Sequence, residues 1–393
     1  MKELAFDIVL HLAGEQILPN YMAIRLCECP QHIIVTTEQT YSQVDRLKKE
    51  LGPSFSIIPV VVPAYKYIDI LHSFREATSR TQGRRVGFNI TGGTKPMAVA
   101  ALDFCRETDV TPFYIDTKKK KIHLFKAPFA ELQMPPVFNS IEEFCRLAGY
   151  SVSNPGLAES DGSIYRRLEL TQTLWANKNR VCKHNKTFSE AASRKAQEKP
   201  TPPSDFIQAI NSLLSQSSKL ELLWNVHFPP TADWRSAAYY LAGRWFEEYC
   251  FAQLTQLRLC GTFRDLRFGF KAGWEQISSA ITPFDEAQDF DIAFTDGYDL
   301  TILECKSGNL KQEYVQKLEN LRTVFGGAFG KTILISIFPP SNLSVSNRIV
   351  TSKGVMLISS GECERLASHV MSVKPGKSLI SKLHRPSQRE RLI

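Results

Sequence analysis

Apolar runs of strand length recur through the first third of the chain, separated by stretches whose apolar residues return at helical spacing. The runs are "ELAFDIVLHL", "HIIVTT", "SFSIIPVVV", "RVGFNIT", "VTPFYIDT" and "KIHLFKA". Between them, "PNYMAIRLCE", "YSQVDRLKKEL", "YIDILHSFREATS" and "KPMAVAALDFCRE" carry the helical period. Strands spaced by single helices predict βαβ units and a largely parallel sheet. The last two runs meet directly across "DTKKKK", which predicts a terminal hairpin. Its Lys118 to Lys121 cluster is either a solvated turn or a basic lip beside an anionic site.

The pattern then changes. "SVSNPGLAESDGS" is turn-rich, and "HNKTFSEAASRKAQEKPTPPSD" is polar, basic and closed by prolines, with some helix in "IYRRLELTQTLWANKNR". This divides the chain into a first domain over 1–150, a connecting region over 151–205 and a second domain over 206–393. The second domain reads as helices followed by strands. "DFIQAINSLLSQ" and "WRSAAYYLAGRWFEEYCFAQLTQL" are helical, and "LRFGFKAG", "DFDIAFT" and "DLTILECKS" are strands. A helix "QEYVQKLENLRTVF" and two strands, "KTILISIF" and "GVMLIS", complete a second α/β or α+β domain.

Composition narrows the class without naming a function. At 393 residues, 43% hydrophobic and 22% charged, the chain has material for two buried cores. No run approaches the roughly 18 apolar residues of a membrane span. The N-terminus, broken by Glu3, Asp7 and His11, does not read as a signal peptide. Nine scattered cysteines, with Cys27-x-Cys29 lacking a second pair, fit reduced thiols in the cytoplasm better than zinc or disulfides. A net charge of +8 permits a polyanionic partner.

The most informative stretch is "DIAFTDGYDLTILECKSG", Asp291 to Gly308. Two apolar strands flank an Asp-Gly turn, yet they carry Asp291, Glu304 and Lys306. A turn centred on Gly297-Tyr298 opposes Asp291 to Glu304 on one face, where like charges repel. Lys306, two residues after Glu304, shares that face, while Leu303 and Cys305 point the other way. Asp289 faces Lys306 in the same register, and a bulge would exchange it with Asp291. A hard cation such as Mg²⁺ or Mn²⁺ reverses the repulsion and suits phosphodiester hydrolysis.

This stretch resembles the PD-(D/E)xK core of restriction-endonuclease-like enzymes. There an acid closes one strand and E-x-K lies on the next. "AGRWFEEY" resembles that family's upstream helix, and "KLENLRTVFGGAFGKTILIS" its downstream helix, glycine turn and strand. The resemblance implies catalytic Asp291, Glu304, Lys306 and Glu247, with Asp291, Glu304 and Glu247 as metal ligands. Lys317 and Arg322 on the next helix read as surface charge or as phosphate contacts.

A second site is predicted at "VGFNITGGTKPMAVAALDF". A strand runs into Gly92-Gly93-Thr94-Lys95, then Pro96 and a helix whose free N–H groups and dipole favour an anion. The loop fits neither the dinucleotide fingerprint nor the P-loop. Gly-Gly-Thr-Lys-Pro-Met here resembles the CARF (CRISPR-associated Rossmann fold) domain, as do "GEQILPN" and "VTTEQT" after the first two strands. The resemblance implies a pocket for a cyclic oligoadenylate, lined by Gly92, Gly93, Thr94, Lys95 and Met97. Thr91, Gln16, Thr36 and Thr37 are further candidates. A two-fold symmetric ring implies a homodimer.

Joined, the two halves resemble the ancillary nucleases of type III CRISPR immunity. The fold expected is a Rossmann-like CARF domain followed by a restriction-endonuclease-like α/β domain. The function expected is metal-dependent cleavage of DNA or RNA, with little sequence preference, switched on by cyclic tetra-adenylate or cyclic hexa-adenylate. Two rivals stand beside it: a restriction or repair nuclease regulated by another nucleotide, and a protein that only binds or degrades the ring. The basic tail "KLHRPSQRERLI" adds charge or stays solvated.

Overall fold

The computed structural model describes residues 2–372 apart from positions 80, 82, 128, 159, 163, 195–200, 275–287, 327–329 and 353. The basic tail therefore lies outside the described residues. Two compact units are present. One contains Met1–Ser153 and Thr295–Asp299; the other contains Asn154–Lys271, Gln288–Phe294 and the chain from Leu300 onward.

In the first unit the strands are β1 (Ile8–Leu12), β2 (Gln31–Thr36), β3 (Ser56–Val61), β4 (Val86–Asn89), β5 (Thr111–Asp116), β6 (Lys121–Leu124) and β7 (Ala130–Gln133). The helices are α1 (Leu18–Leu26), α2 (Tyr41–Leu51), α3 (Tyr67–Thr78), α4 (Lys95–Glu107) and α5 (Ile141–Ala148). The sheet order is β3-β2-β1-β4-β5-β6-β7. Strands β1 to β5 pair in parallel, and β6 is antiparallel to β5 across the lysine turn, as the sequence predicts. β7 is an addition: "AELQ" is short and half exposed, so it carries no apolar run.

The topology positions the loop between β4 and α4. From β1 the chain moves outward through β2 to β3, then returns through α3 to β4 on the other side of β1. The carboxyl ends of β1 and β4 thus flank the point where strand order reverses, where open α/β sheets bind ligands. β1 is buried along its whole length, and α3 and α4 cover the sheet with Phe74, Met97 and Phe104. Phe74 meets Phe88 edge-on, ring centroids 5.0 Å apart.

The second sheet, drawn mainly from the second unit, has the order β14-β13-β12-β11-β10-β8, with β9 paired to β10. Its strands are β8 (Tyr150–Asn154), β9 (Leu157–Ala158), β10 (Asp265–Trp274), β11 (Gln288–Thr295), β12 (Leu300–Lys306), β13 (Lys331–Ser336) and β14 (Val355–Ser359). Strands β12, β13 and β14 are parallel. The helices are α6 (Leu168–Ala176), α7 (Lys178–Lys183), α8 (Asn185–Ala192), α9 (Ser204–Leu214), α10 (Ser218–His227), α11 (Trp234–Tyr239), α12 (Trp245–Leu259), α13 (Gln312–Leu321), α14 (Leu343–Thr351) and α15 (Leu366–Ser372). Residues 151–205 look like a connector by composition, yet α6 to α8 bury Leu170, Leu174, Val181 and Phe188 in the same core as α12. Their apolar residues are sparse but fall on one face.

The helical run over 234–259 is interrupted. Residues Tyr240–Arg244 form a π-helical turn, and Gly243 leaves helical geometry at φ 174°, ψ −30°. The break starts α12 afresh, with Glu247 and Glu248 in its first turn. Such bulges frequently accompany functional sites.

The turn between β11 and β12 belongs to the first unit. There Lys120 Nζ lies 2.7 Å from Asp296 and 4.0 Å from the centre of the Tyr298 ring. The Tyr298 hydroxyl donates to the Met134 carbonyl, and the Gly297 carbonyl accepts from Val137 and Phe138. No described helix is long and apolar enough to cross a membrane. All nine cysteines are free thiols, six of them buried.

Candidate active site and ligand loop

The charged residues of β11 and β12 come together at the carboxyl end of β12. Glu304 is almost closed off, with its side chain 4% exposed, and Lys306 Nζ lies 2.6 Å from it. The same ammonium stands 3.9 Å from Asp291, whose side chain is 15% exposed. Asp291 accepts the backbone N–H of Cys305 at 2.7 Å, so its carboxylate lies across the neighbouring strand. Leu303 and Cys305 sit in the hydrophobic core and anchor that strand. Asp289 goes elsewhere: it pairs with Lys271 on β10 at 3.1 Å. The geometry selects Asp291 over Asp289 as the acid beside Glu304.

The electrostatics show a crowded site. Burial raises the Asp291 carboxyl well above its ordinary value, and Glu304 and Glu247 push it further. Burial raises Glu247 as well, while Arg244, 3.2 Å away, opposes the shift. Burial works against the charge on Lys306, yet Asp291 and Glu304 together hold its ammonium above its ordinary value. Glu247 therefore shares the field of Asp291, Glu304 and Lys306. Its neighbour Glu248 is committed to structure, bonded to Arg167 and Thr171.

Tyr314 and Arg244 escaped the sequence reading, and Lys317, read there as surface charge or a phosphate contact, takes another role. Tyr314 and Lys317 lie three residues apart on α13, hence on one face of it. The Tyr314 ring centre is 5.0 Å from Lys306 Nζ. Lys317 Nζ bonds both oxygens of Glu304, at 2.8 and 3.1 Å. Arg244, stacked 3.6 Å above Phe268, aims at Glu247. Only the helical spacing on α13 hinted at any of them. Arg322, by contrast, packs against Gly330 and Gly354.

The donor set suits a hard cation: carboxylate oxygens in a nearly dry recess, with more negative charge than one lysine balances. Two ammonium groups now supply that balance. Among the described residues no three Asp, Glu, His or Cys side chains converge tightly enough to hold a metal ion as they stand. The site fits an ion that takes one or two carboxylates and keeps water on its remaining positions, as Mg²⁺ does.

The ligand loop is built by close approach of backbones. A Cβ on Gly92 would lie 2.2 Å from the Leu12 carbonyl oxygen, and one on Gly14 would lie 3.0 Å from Gly93 N. Gly93 turns at φ 77°, which glycine adopts without strain. Thr94 caps α4, accepting from Met97 N at 3.4 Å, and its hydroxyl donates to the Ala64 carbonyl at 2.6 Å. That bond draws the loop after β3 over the same edge. Lys95 is exposed, and Gly92, Gly93 and Thr94 are half-buried.

Other expected pocket residues serve as supports. The Met97 side chain is fully buried beneath the loop, so it offers no surface to a ligand. Thr91 gives its proton to Asn89 at 2.6 Å and accepts from Ile115 N at 2.9 Å. The side chains of Thr36 and Thr37 are buried in a hydroxyl cluster with Thr40. Gln16 is half-buried on the loop after β1.

Against known proteins, residues 8–142 match the family profile described as the Card1 CARF domain. Residues 235–375 match that of the Card1-like endonuclease domain. Among solved structures, Can2 from Sulfobacillus thermosulfidooxidans, in complex with cyclic tetra-adenylate, has a TM-score of 0.72 at 19% identity. That match covers 93% of this chain and 98% of that one. Protein VC1899 from Vibrio cholerae has a TM-score of 0.75 at 17% identity, covering 94% and 97%. A type III CRISPR defence DNA nuclease activated by cyclic oligoadenylate has a TM-score of 0.50 at 14% identity. This chain is covered over 92% of its length and that one over 51%. At these identities the structural matches establish the fold. No curated protein matches by sequence.

Proposed function

The chain joins a Card1 CARF domain to a Card1-like endonuclease domain, and from that premise we propose that it is a cytoplasmic, metal-dependent endonuclease of type III CRISPR defence, activated by cyclic tetra-adenylate. The observation that carries this reading is the recess in which Asp291, Glu304 and Lys306 crowd together while Glu247 adds further negative charge. Asp291 and Glu304 would hold Mn²⁺ or Mg²⁺, with Glu247 as the third acid. The bound ion supplies an acidified water and neutralises charge at the phosphodiester. Lys306, held firmly charged by two carboxylates, acts as a donor to the developing phosphorane charge and does not abstract a proton.

The ring would bind on Gly92, Gly93, Thr94 and Lys95, where the positive end of the α4 dipole and one lysine meet its phosphates. A two-fold ring suits two copies of the loop, and so a homodimer. Ile68 on α3 and Val99 on α4, 58% and 52% exposed, supply apolar surface that a second copy would cover. Substrate would be held through its phosphates, which makes cleavage of DNA or RNA salt-sensitive and tolerant of sequence.

The test uses the full chain with Mn²⁺ or Mg²⁺, cyclic tetra- or hexa-adenylate, and labelled RNA, single-stranded DNA and supercoiled plasmid. Ring-dependent cleavage is expected, and Glu304→Ala should lower it about a hundredfold or more while ring binding persists. Undiminished cleavage by that variant would overturn the site assignment.

A further inference from the structure

The carboxylate of Glu304 meets two cations. Lys306 approaches at 2.6 Å, and Lys317 reaches Oε2 at 2.8 Å and Oε1 at 3.1 Å. A carboxylate offers about four lone-pair positions, so three are already filled. The two lysines are not equivalent. Lys306 lies between Glu304 and Asp291 and against the Tyr314 ring. Lys317 comes in from α13, its side chain 36% exposed, and its ion pair is with Glu304.

We propose that Lys317 is a resident counter-ion which a divalent cation must displace from Glu304, so that Lys317 sets the ion concentration at which the site loads. This rests on the reading of Glu304 as an ion ligand. A divalent cation approaching Glu304 needs one of its two oxygens, and Lys317 spans both. Leaving is easy for it. A lysine stem is long and flexible, and an ammonium already partly in water regains its hydration at small cost. The exchange is ammonium for divalent cation, with no bond made or broken in the chain. Without the ion, Lys317 gives the buried Glu304 carboxylate a second cationic partner beside Lys306.

The inference is tested by titrating Mn²⁺ into the full chain without ring or nucleic acid, following free Mn²⁺ by electron paramagnetic resonance. Lys317→Met removes the competing charge and keeps the bulk, so it should bind Mn²⁺ at least about tenfold more tightly than wild type. Lys317→Arg retains a charged partner for both oxygens and should stay within about threefold of wild type. Glu304→Gln should lose the site. Equal or weaker Mn²⁺ binding by Lys317→Met, with wild type binding normally, overturns the proposal and leaves the metal reading intact. Absence of Mn²⁺ binding by wild type itself overturns that reading, and this inference with it. If Lys317→Met melts far below wild type, Lys317→Gln replaces it in the same titration, with the same two outcomes deciding.

Discussion

Asp291 shows how much a single carboxylate costs before any ion arrives. Its pKa is raised in the folded chain, first by burial and then by Glu304 and Glu247. The folded state therefore binds its proton more tightly than the unfolded state. The stability this contributes is complete below about pH 4 and is lost as pH climbs through the raised folded value. Asp291→Asn should thus stabilise the ion-free protein above about pH 4, with an advantage that grows on the alkaline side. Calorimetric melts at pH 5 and pH 8 read this directly. Adding Mn²⁺ should raise the wild-type melting temperature and leave the variant unmoved, since only a state that binds the ion is stabilised by it. A lower melting point for Asp291→Asn at pH 8 would contradict the charge crowding. At this scale the sequence was legible where residue type and alternation coincided, as with Asp291, Glu304 and Lys306. It read Lys317 only as surface charge or a phosphate contact, because a lysine on an amphipathic helix looks the same whether it faces water or Glu304.

At the scale of elements, the loop between β4 and α4 depends on absence of side chains. Gly92 lies outside the left-handed region, but a Cβ there would press on the Leu12 carbonyl at 2.2 Å, a contact no rotamer relieves. Gly92→Ala should push the two loops apart, cost roughly 1–3 kcal/mol of stability and weaken ring binding at least about tenfold. Isothermal titration with cyclic tetra-adenylate checks this, and wild-type affinity would argue that the ring binds elsewhere. The glycines themselves were visible in the sequence. The reason for them was not, since Gly14 and Leu12 approach through folding of the sheet. The same holds for Met97, whose place in the motif suggested a ligand contact and whose side chain instead fills the space under the loop. Thr91 likewise spends its hydroxyl on Asn89 and Ile115. The interrupted helix around Gly243 belongs here too, because it turns Glu247 toward the carboxylates while Glu248 stays with Arg167.

At the scale of the whole molecule, the β11–β12 connection is shared. Its turn, Thr295–Asp299, is part of the first unit, and its two strands carry Asp291 and Glu304 in the second. Thr91 holds β5 at Ile115, and β5 leads into the lysine turn whose Lys120 pairs with Asp296. The chain thus offers a short route, through a hydrogen bond, an ion pair and the β11–β12 turn, from the β4–α4 loop to the strands that carry Asp291 and Glu304. A ring that tightens the loop has a means of shifting those strands, provided it binds the two arrangements unequally. Lys120→Met should leave ring affinity within about twofold, yet reduce ring-stimulated cleavage about tenfold. Parallel titration and cleavage assays on one preparation separate these two effects. Equal stimulation of variant and wild type would remove the turn from the route.

The sequence by itself determined the two α/β halves, the parallel sheet with its terminal hairpin, and the pair of motifs, because apolar periodicity and turn chemistry are local properties of the chain. Register arithmetic and the helix motif already named Asp291 and Glu247; the tertiary structure sent Asp289 to Lys271 and Glu248 to Arg167. It also placed α6 to α8 in the second core and aimed Lys317 at both oxygens of Glu304. Those outcomes depend on which surfaces meet after the chain has closed on itself, and distances across a fold have no signature in residue order.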